Sequence, residues 1–398
     1  MGDLADAYVW AYPLVAMHRT RRRHGDAQRG RMLRRDGLAT AADRTVVGPN
    51  NDTLYASGWF DLRQGDLVVD VEPMAGRYWS VMVLDAYTNV SYLSRRLHGD
   101  DGTSARVVLD PATVPTPERA VDPVPIATPA VWVLARVLVD GPDDLEAARA
   151  ALGRIHVRQE RAAARAASPA PLEPAWPERG SGWFARAAAA LAVDPPAPWM
   201  PPAPTGFVSR VASGDVPPAD EQDAARAEGE ARIDAGAGVD RRVDGWGTRS
   251  RGAVFGDDVA YRASFAKVSL AGHRPAENRS YNHPVDGRRS HAIRFEPGGE
   301  PPVGAFWSLT MYGPDLFFVD NPIDRYSIGD RTPGLVRADD GSLTITVGHE
   351  RPQDDANWLP APDGPCFCVL RCYEGAPAIV AAEWFPPPLV PLEPPEPR

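Results

Sequence analysis

The sequence predicts a mainly β protein with a helical connector, of the α+β class, and three observations support this prediction. Short apolar runs rich in valine and aromatic residues, bounded by Gly, Pro and Asp, occur in the first and last thirds of the chain. Segments rich in Ala, Leu, Glu and Arg, which are typical of helices, lie between them. A tryptophan-bearing segment of the first third recurs in the last, which indicates two related β modules.

At 398 residues the chain is too long for one compact core, so two or three domains are expected. Residues 1–142 are predicted to form an immunoglobulin-like β-sandwich with a leading helix. Residues 143–270 are predicted to form a helical connector rich in proline and alanine. Residues 271–398 are predicted to form a jelly-roll-like β-sandwich with a proline-rich tail.

The N-terminal module begins with a short amphipathic helix at residues 3–17, which we expect to be interrupted at Pro13 because proline lacks a backbone donor. Apolar runs bounded by turn residues then predict strands at residues 66–71, 77–84, 105–110 and 130–139. Several strands in succession without helical patterns between them favour a sandwich.

The connector and the C-terminal module follow the same rules. Helices are predicted at residues 143–165 (capped by Asp144), 182–193, 220–234 and 257–270. Strands are predicted at residues 290–296, 304–312, 342–347 and 366–373. Residues 386–398 read as an extended proline-rich tail outside any core.

An internal repeat is the sharpest structural signal. Residues 72–82 align without gaps on residues 300–310, and five of the eleven positions are identical. Because side chains alternate along a strand, Trp79 and Trp307 should each face the core of their own module. Ser80 and Ser308 should then point to the opposite face of each sheet.

Composition and charge exclude several classes of partner. The formal net charge of −10 argues against nucleic acid and against an anionic membrane surface. Lys267 is the only lysine, so nearly all of the 43 basic residues are arginine, as in a bacterial GC-rich genome. The chain shows no cationic leader and no apolar stretch of about 20 residues, and three cysteines suit a reducing compartment. We therefore expect a cytoplasmic protein that binds a small molecule and that is compatible with homo-oligomers.

Common catalytic motifs are absent from the sequence, including a phosphate-binding loop, a dinucleotide-binding glycine motif, a His-Glu-x-x-His zinc motif and a Gly-x-Ser-x-Gly elbow. No cofactor is predicted. All three cysteines, Cys366, Cys368 and Cys372, fall on one face of a predicted strand, where buried apolar thiols are commoner than zinc ligands. The histidines do not cluster, and His283 and His291 are the better candidates for a lone general base.

Polar runs at predicted strand ends supply the candidate site residues. Their side chains suit a polar organic ligand, although the same residue types also build ordinary turns. Acid/base roles are predicted for Asp52, Asp85 and Tyr55. Ligand-binding roles are predicted for Asn51, Tyr87, Asn89, Arg325, Tyr326 and Trp358. Arg325 is suited to hold a carboxylate with both arms of its guanidinium.

Two groups of motifs resemble known families. Residues 49–55, 76–78 and 84–89 resemble the domain-of-unknown-function family 1254, and residues 305–312, 321–330, 340–342 and 357–360 resemble family 1214. The resemblance implies an immunoglobulin-like sandwich, a helical segment and a C-terminal jelly roll. It implies no activity. The chain departs from the family pattern after Asn89, where residues 90–98 replace a Gly-Ser-Arg-type loop, and it lacks an export signal that many relatives carry.

The sequence leads to one main hypothesis of function. It is an enzyme without an organic cofactor that acts by acid/base chemistry on a small polar or sugar-like metabolite, as a hydrolase, lyase or isomerase. The cleft would lie between the two β modules, since grooves between domains are common ligand sites. A non-catalytic protein that binds a small molecule or carbohydrate, and a metalloenzyme, are the alternatives.

Overall fold

The computed structural model describes residues 2–44, 48–160, 182–215 and 217–392. Strands account for more of the described residues than helices do, which confirms the prediction of a mainly β protein with helices. Residues 161–181 of the predicted connector and residues 393–398 of the predicted tail lie outside the described residues.

The strands of the first half form two sheets. In chain order they are β1 (Leu33–Arg34), β2 (Thr53–Asp61), β3 (Leu67–Val71), β4 (Trp79–Leu84), β5 (Val90–Ser94), β6 (Thr103–Leu109), β7 (Val124–Ile126), β8 (Ala130–Leu138) and β9 (Ile155–Gln159). The order β1-β2-β8-β4-β5 defines the N-terminal interface sheet, and β7-β6-β3-β9 defines the N-terminal outer sheet. Apolar side chains of both sheets, including Trp79, share one core. We call these two sheets the N-terminal β region.

The described helices comprise one packed group and several short helices that pack against strands. They are α1 (Gly2–His24), α2 (Arg95–His98), α3 (Leu145–Gly153), α4 (Trp183–Val193), α5 (Thr205–Ser213), α6 (Ala219–Ala235), α7 (Val259–Val268) and α8 (Pro377–Val380). Helix α1 packs against α4, α6 and α7 in a second apolar core. None of the described helices is long and apolar enough to cross a bilayer.

Two helix predictions are wrong in detail. Helix α1 runs through Pro13 without a break and extends to His24, because its apolar side chains are buried against other helices. The helix predicted for residues 143–165 ends at Gly153, and β9 follows it. Pairing of β9 with β3 outweighs the helical propensity of this segment. Asp144 makes no capping bond and instead pairs with Arg77.

The second half repeats the two-sheet arrangement. Its strands are β10 (Arg241–Val243), β11 (Trp246–Thr248), β12 (Asn278–Asp286), β13 (His291–Phe295), β14 (Val303–Tyr312), β15 (Ser327–Gly329), β16 (Leu343–Gly348), β17 (Trp358–Pro360), β18 (Pro365–Gly375) and β19 (Val390–Pro391). The order β10-β11-β12-β18-β14-β15 defines the C-terminal interface sheet, and β17-β16-β13-β19 defines the C-terminal outer sheet. We call these two sheets the C-terminal β region.

The repeat behaves as its pattern predicts. Trp307 lies in the core shared by the two C-terminal sheets, as Trp79 does in the N-terminal core, so both tryptophan predictions are confirmed. The three cysteines lie in the same C-terminal core. The predicted tail is partly wrong, because Leu389 is buried and β19 pairs with β13.

Candidate functional site

The two interface sheets face each other through the side of the repeat that points away from the tryptophans. Tyr78 and Leu138 from the N-terminal sheet pack against Phe306 and Tyr373 from the C-terminal sheet. The ring centroids of Phe306 and Tyr373 are 4.1 Å apart, and that of Tyr78 lies 5.4 Å from Phe306. This aromatic contact brings the polar residues around it into one enclosed region.

Asp52 lies at this contact and links the two β regions. Its carboxylate accepts a hydrogen bond of 2.6 Å from the Ser308 hydroxyl and one of 3.2 Å from the Arg331 guanidinium. Arg331 also donates to the carbonyl oxygen of Val139 and stacks over the ring of Phe306 at 4.2 Å. Asp52 therefore lies at the junction of the two β regions, where it is an ion-pair partner.

The Asn-Asn-Asp turn before β2 provides further contacts to the C-terminal sheet. The Asn50 side-chain oxygen accepts hydrogen bonds from the backbone amides of Asp52 and Thr53, which is ordinary turn chemistry. Its amide nitrogen donates to the Tyr373 hydroxyl at 2.5 Å. Asn51 is half-buried, and its side-chain oxygen has no hydrogen-bond partner.

Arg371 projects from the middle of β18 toward the N-terminal sheet. Its guanidinium donates to the hydroxyls of Thr310 and Tyr312, at 2.9 and 2.6 Å. Among the described residues no carboxylate forms an ion pair with it. The residue lies deep between the sheets, yet part of its surface stays accessible to solvent.

Arg136 projects from the middle of β8 toward the same region. It is 4% exposed, its Nη1 atom lies 3.8 Å from the Met82 sulfur, and its guanidinium carbon lies 5.2 Å from the ring centroid of Tyr55. Its Nε atom is buried without a hydrogen-bond partner. The Tyr55 side chain also acts as a hydrogen-bonding partner, but no carboxylate among the described residues pairs with Arg136, and burying a charge is costly without such a partner.

His273, in the segment between α7 and β12, completes the region. Its ring stacks parallel to that of Tyr92 at 6.2 Å and lies edge-on to that of Tyr373 at 6.3 Å. Burial, with the charges of Arg136 and Arg371, lowers the pKa of His273 well below its usual value. The imidazole is therefore neutral at physiological pH, and its Nδ1 atom is buried without a hydrogen-bond partner.

We refer to this group as the interface cluster. Its members are Asp52, Tyr55, Arg136, His273, Ser308, Arg331, Arg371 and Tyr373. The tyrosines beside it remain protonated, because burial raises the pKa of Tyr312 to about 12 and that of Tyr373 further. Phenols in this state act as hydrogen-bond donors, and that of Tyr312 already donates to the Pro49 carbonyl oxygen.

Asp85, Tyr87 and Asn89 belong to a different group, the Asp85 cluster, which also contains Arg262. The Asp85 carboxylate accepts hydrogen bonds from the backbone amides of Tyr87 and Asn89 and from the Asn89 side chain, at 2.7 to 2.9 Å. Arg262, from α7, donates to the Tyr87 carbonyl and to the Asn89 side-chain oxygen. Burial raises the pKa of Asp85 to about 6. These bonds hold the loop after β4 against the helices.

The remaining predicted ligand-binding residues have structural surroundings. The Nη1 atom of Arg325 donates to the carbonyl oxygens of Asp355, Ala356 and Trp358. Trp358 is 1% exposed and donates to the Gly348 carbonyl. Tyr326 packs against Phe318 at 5.0 Å. The structure therefore does not bring these residues into the interface cluster, where Asp52 and Tyr55 lie.

Sequence reasoning missed Arg136, His273 and Arg371. Each arginine interrupts an otherwise apolar strand that contributes to a core, and that interruption was the available signal. The general excess of arginine obscured it. The favoured histidines lie elsewhere: His283 packs edge-on to Trp246 at 4.9 Å, and His291 lies in the C-terminal outer sheet.

Other parts of the described chain offer less chemistry. Within residues 2–44, 48–160, 182–215 and 217–392, no group of three or more His, Cys, Asp or Glu side chains is arranged to hold a metal ion. Two open depressions, of about 410 and 450 Å³, lie outside the interface cluster. The first is lined partly by Arg77, whose guanidinium is already paired with Asp144.

Comparisons with known proteins agree with this division of the chain. Residues 30–159 match the family model of proteins of unknown function DUF1254, and residues 275–377 match that of DUF1214. The chain thus joins a DUF1254 region to a DUF1214 region. The resemblance predicted from the motifs is confirmed in identity and in order. The DUF1254 region supplies Asp52 and Arg136, and the DUF1214 region supplies Ser308 and Arg371.

One solved structure shows that this two-part fold occurs elsewhere. The VPA0106 protein from Vibrio parahaemolyticus is 22% identical, with a TM-score of 0.68 over 98% of this chain and 99% of that chain. An uncharacterized protein from Burkholderia cenocepacia is 16% identical, with a TM-score of 0.48 over 97% of this chain and 87% of that chain. The first likeness extends over both β regions and the helices, and it concerns the fold alone. A search of curated proteins finds no match.

Proposed function

We propose that this protein is an enzyme that requires no organic cofactor and performs acid/base chemistry on a small polar metabolite bound in the interface cluster. The observation that carries the proposal is the neutral imidazole of His273, whose Nδ1 atom has no protein partner. A general base must be unprotonated and must have a nitrogen free to accept a proton, and a substrate reaches the buried Nδ1 atom only by entering the region between the sheets. The partly accessible surface of His273 and Arg371 supports access by a small molecule.

The surrounding residues have distinct roles in this proposal. His273 accepts a proton from the substrate, and the guanidiniums of Arg136 and Arg371 stabilise negative charge that develops as the proton leaves. Tyr55 and Tyr373 orient the substrate by hydrogen bonds. Asp52, which the sequence suggested as an acid/base group, instead positions Arg331 and Ser308 across the junction. This chemistry suits an isomerase or a lyase and is compatible with a hydrolase.

The fold proposed with this function is an immunoglobulin-like sandwich in the N-terminal β region and a jelly roll in the C-terminal β region. Each region consists of two sheets that share one core, which supports a sandwich in both. Strands β12, β18 and β14 pair antiparallel to one another, as the sheets of jelly rolls do.

The proposal is tested by turnover of a panel of small metabolites, followed by mass spectrometry. We expect His273→Gln to lower the rate of any conversion by at least about 100-fold, since a positioned base contributes that much or more. His283→Gln is the matched control, because His283 lies outside the interface cluster, and it should leave the rate unchanged. Equal rates for His273→Gln and the wild type would refute the assignment of the base.

The pH dependence provides a second measurement. A base with a pKa well below 6.5 is already neutral at pH 6, so kcat/KM should stay level between pH 8 and pH 6. A fall centred near 6.5 would show that the base is an ordinary solvated histidine and would contradict the role of His273. Binding of a metabolite without any conversion, by the wild type, would favour the non-catalytic alternative.

A further inference from the structure

The duplication extends beyond the tryptophan segment to the two arginines. On the N-terminal interface sheet, Arg136 lies directly opposite Ser80 of the neighbouring strand. On the C-terminal interface sheet, Arg371 lies directly opposite Ser308. Ser80 and Ser308 are aligned positions of the repeat. Each β region therefore presents one arginine at the corresponding place on the face that meets its counterpart.

The aromatic residues beside the arginines follow the same correspondence. Tyr78 aligns with Phe306 in the repeat, and Leu138 and Tyr373 lie two positions after Arg136 and Arg371. These four side chains form one cluster at the contact between the sheets. The two arginines consequently approach one enclosed region from opposite sides, and both influence the pKa of His273 there.

Carboxylates of this interface pair with other arginines, and Arg331 also contacts Asp330 at 3.5 Å. Asp52 pairs with Arg331 at 3.2 Å, Glu277 with Arg96 at 2.7 Å, and Glu374 with Arg95 at 2.6 Å. None of these pairs involves Arg136 or Arg371, which have no carboxylate partner among the described residues. Two arginines that form no carboxylate ion pair among the described residues thus lie between the sheets of a protein whose formal net charge is −10.

Unmatched buried cations favour an anion as their missing partner. Burying a guanidinium costs free energy unless it is paired with an opposite charge and hydrogen-bonded. A carboxylate meets both conditions, because its two oxygens accept hydrogen bonds from two N–H groups of the guanidinium. The Nε atom of Arg136 is buried without an acceptor, and Arg371 donates only to hydroxyl groups. Neutral acceptors of this kind do not offset the two charges.

We propose that Arg136 and Arg371 form a binding site for a small organic dicarboxylate, one carboxylate facing each guanidinium. The inference rests on the proposed function, since it names the substrate class for the same cluster. A dicarboxylate matches the two positive charges and their placement on opposite sheets. Thr310 and Tyr312 contact Arg371, and Tyr55 contacts Arg136, so these side chains would adjoin the ligand.

Binding can be measured without turnover, by calorimetry and thermal shift at constant ionic strength, with malonate, succinate and glutarate as probes. We expect at least one of the three to bind the wild type at least about tenfold more tightly than acetate or inorganic phosphate, because it gains a second charge-assisted contact. Equal affinity for acetate, or tighter binding of phosphate, would overturn the dicarboxylate assignment.

Variants locate the site. Arg136→Gln and Arg371→Gln should each weaken binding of that dicarboxylate by at least about tenfold. Arg279→Gln is the control, because Arg279 is a buried arginine that donates to the carbonyl oxygens of Arg249, Ser250 and Val380. If Arg371→Gln fails to fold, Arg371→Lys keeps the charge but loses the two-armed geometry, and it should also bind more weakly.

The outcome separates this inference from the proposed catalysis. His273→Gln should retain dicarboxylate binding even though it loses turnover. Undiminished binding by both Arg136→Gln and Arg371→Gln would overturn the site. Binding that requires both arginines, in a wild type that converts none of the metabolites, would support the site while refuting the enzyme.

Discussion

The Asp85 cluster and the interface cluster are both buried, but their charges are bonded differently. In the Asp85 cluster the carboxylate accepts three hydrogen bonds, and Arg262 donates to acceptors that the same loop provides. In the interface cluster Arg136 and Arg371 have no carboxylate partner among the described residues, and His273 has an unbonded nitrogen. A saturated cluster holds the fold together, whereas an unsaturated one retains capacity for a ligand.

The largest difference between the clusters should appear in stability. Arg262→Met leaves the Asp85 carboxylate and two oxygen acceptors buried without their cation, so we expect the free energy of unfolding to fall by about 3 to 5 kcal/mol. Arg136→Met removes an unmatched charge, and the free energy of unfolding should stay within about 1 kcal/mol of the wild type or rise. Denaturant unfolding of both variants at pH 8 measures this contrast. A large loss for Arg136→Met would show that its charge is matched after all.

The titration of Asp85 should make the stability of the protein depend on pH. Burial raises the pKa of Asp85 to about 6, while an unfolded aspartate titrates near about 3.9. Between these values the folded protein binds more protons than the unfolded chain, so stability contributed by this group falls as the pH rises from about 4 to about 6. The total change is about 3 kcal/mol.

The measurement compares the wild type with Asp85→Asn, which cannot titrate. The difference between their free energies of unfolding should change by this amount between pH 4 and pH 7. The free energy of unfolding of the wild type should decrease relative to that of Asp85→Asn as the pH rises. A difference that stays constant across this range would show that Asp85 is ionised throughout.

The smallest effect separates two tyrosines. The Tyr87 hydroxyl donates to the carbonyl oxygen of Asp194 at 2.8 Å, so Tyr87→Phe should cost about 1 kcal/mol of stability. Tyr55, beside Arg136, is proposed to contact the ligand, so Tyr55→Phe should leave stability nearly unchanged and weaken ligand binding. Thermal unfolding of the two variants, with and without dicarboxylate, checks both statements. Equal losses of stability would remove the distinction between the clusters.

Much of the fold follows from local sequence. The strands rich in valine, such as β3 and β8, appear where the apolar pattern predicts them, because their side chains alone favour a pleated and buried surface. Strand β12 was missed, since its polar residues and Pro284 give no apolar pattern, and it forms by pairing with β18 along its whole length. Strand β2 was also missed. A tertiary contact fixes the glycine in its middle, since a Cβ atom on Gly58 would lie 2.5 Å from the Arg31 carbonyl oxygen.

The candidate site could be predicted only in part. The Asn-Asn-Asp turn pointed to Asp52 and Tyr55, and both lie in the interface cluster. Asp85, Arg325 and Trp358 have the same kinds of side chain, but their partners are supplied by nearby loops. Local sequence does not distinguish the two situations, because the polar partners of a residue come from segments that are distant in the chain.

The sequence by itself determined the two β regions, the helices between them and the face on which each repeated tryptophan lies, since alternation along a strand is a local property. Tertiary structure alone decided that the opposite faces of the repeats meet, and that Arg136, His273 and Arg371 gather there from segments more than 90 residues apart. The low pKa of His273 and the placement of the two arginines opposite each other arise from that meeting. They depend on which charges are enclosed together, and no single segment contains that information.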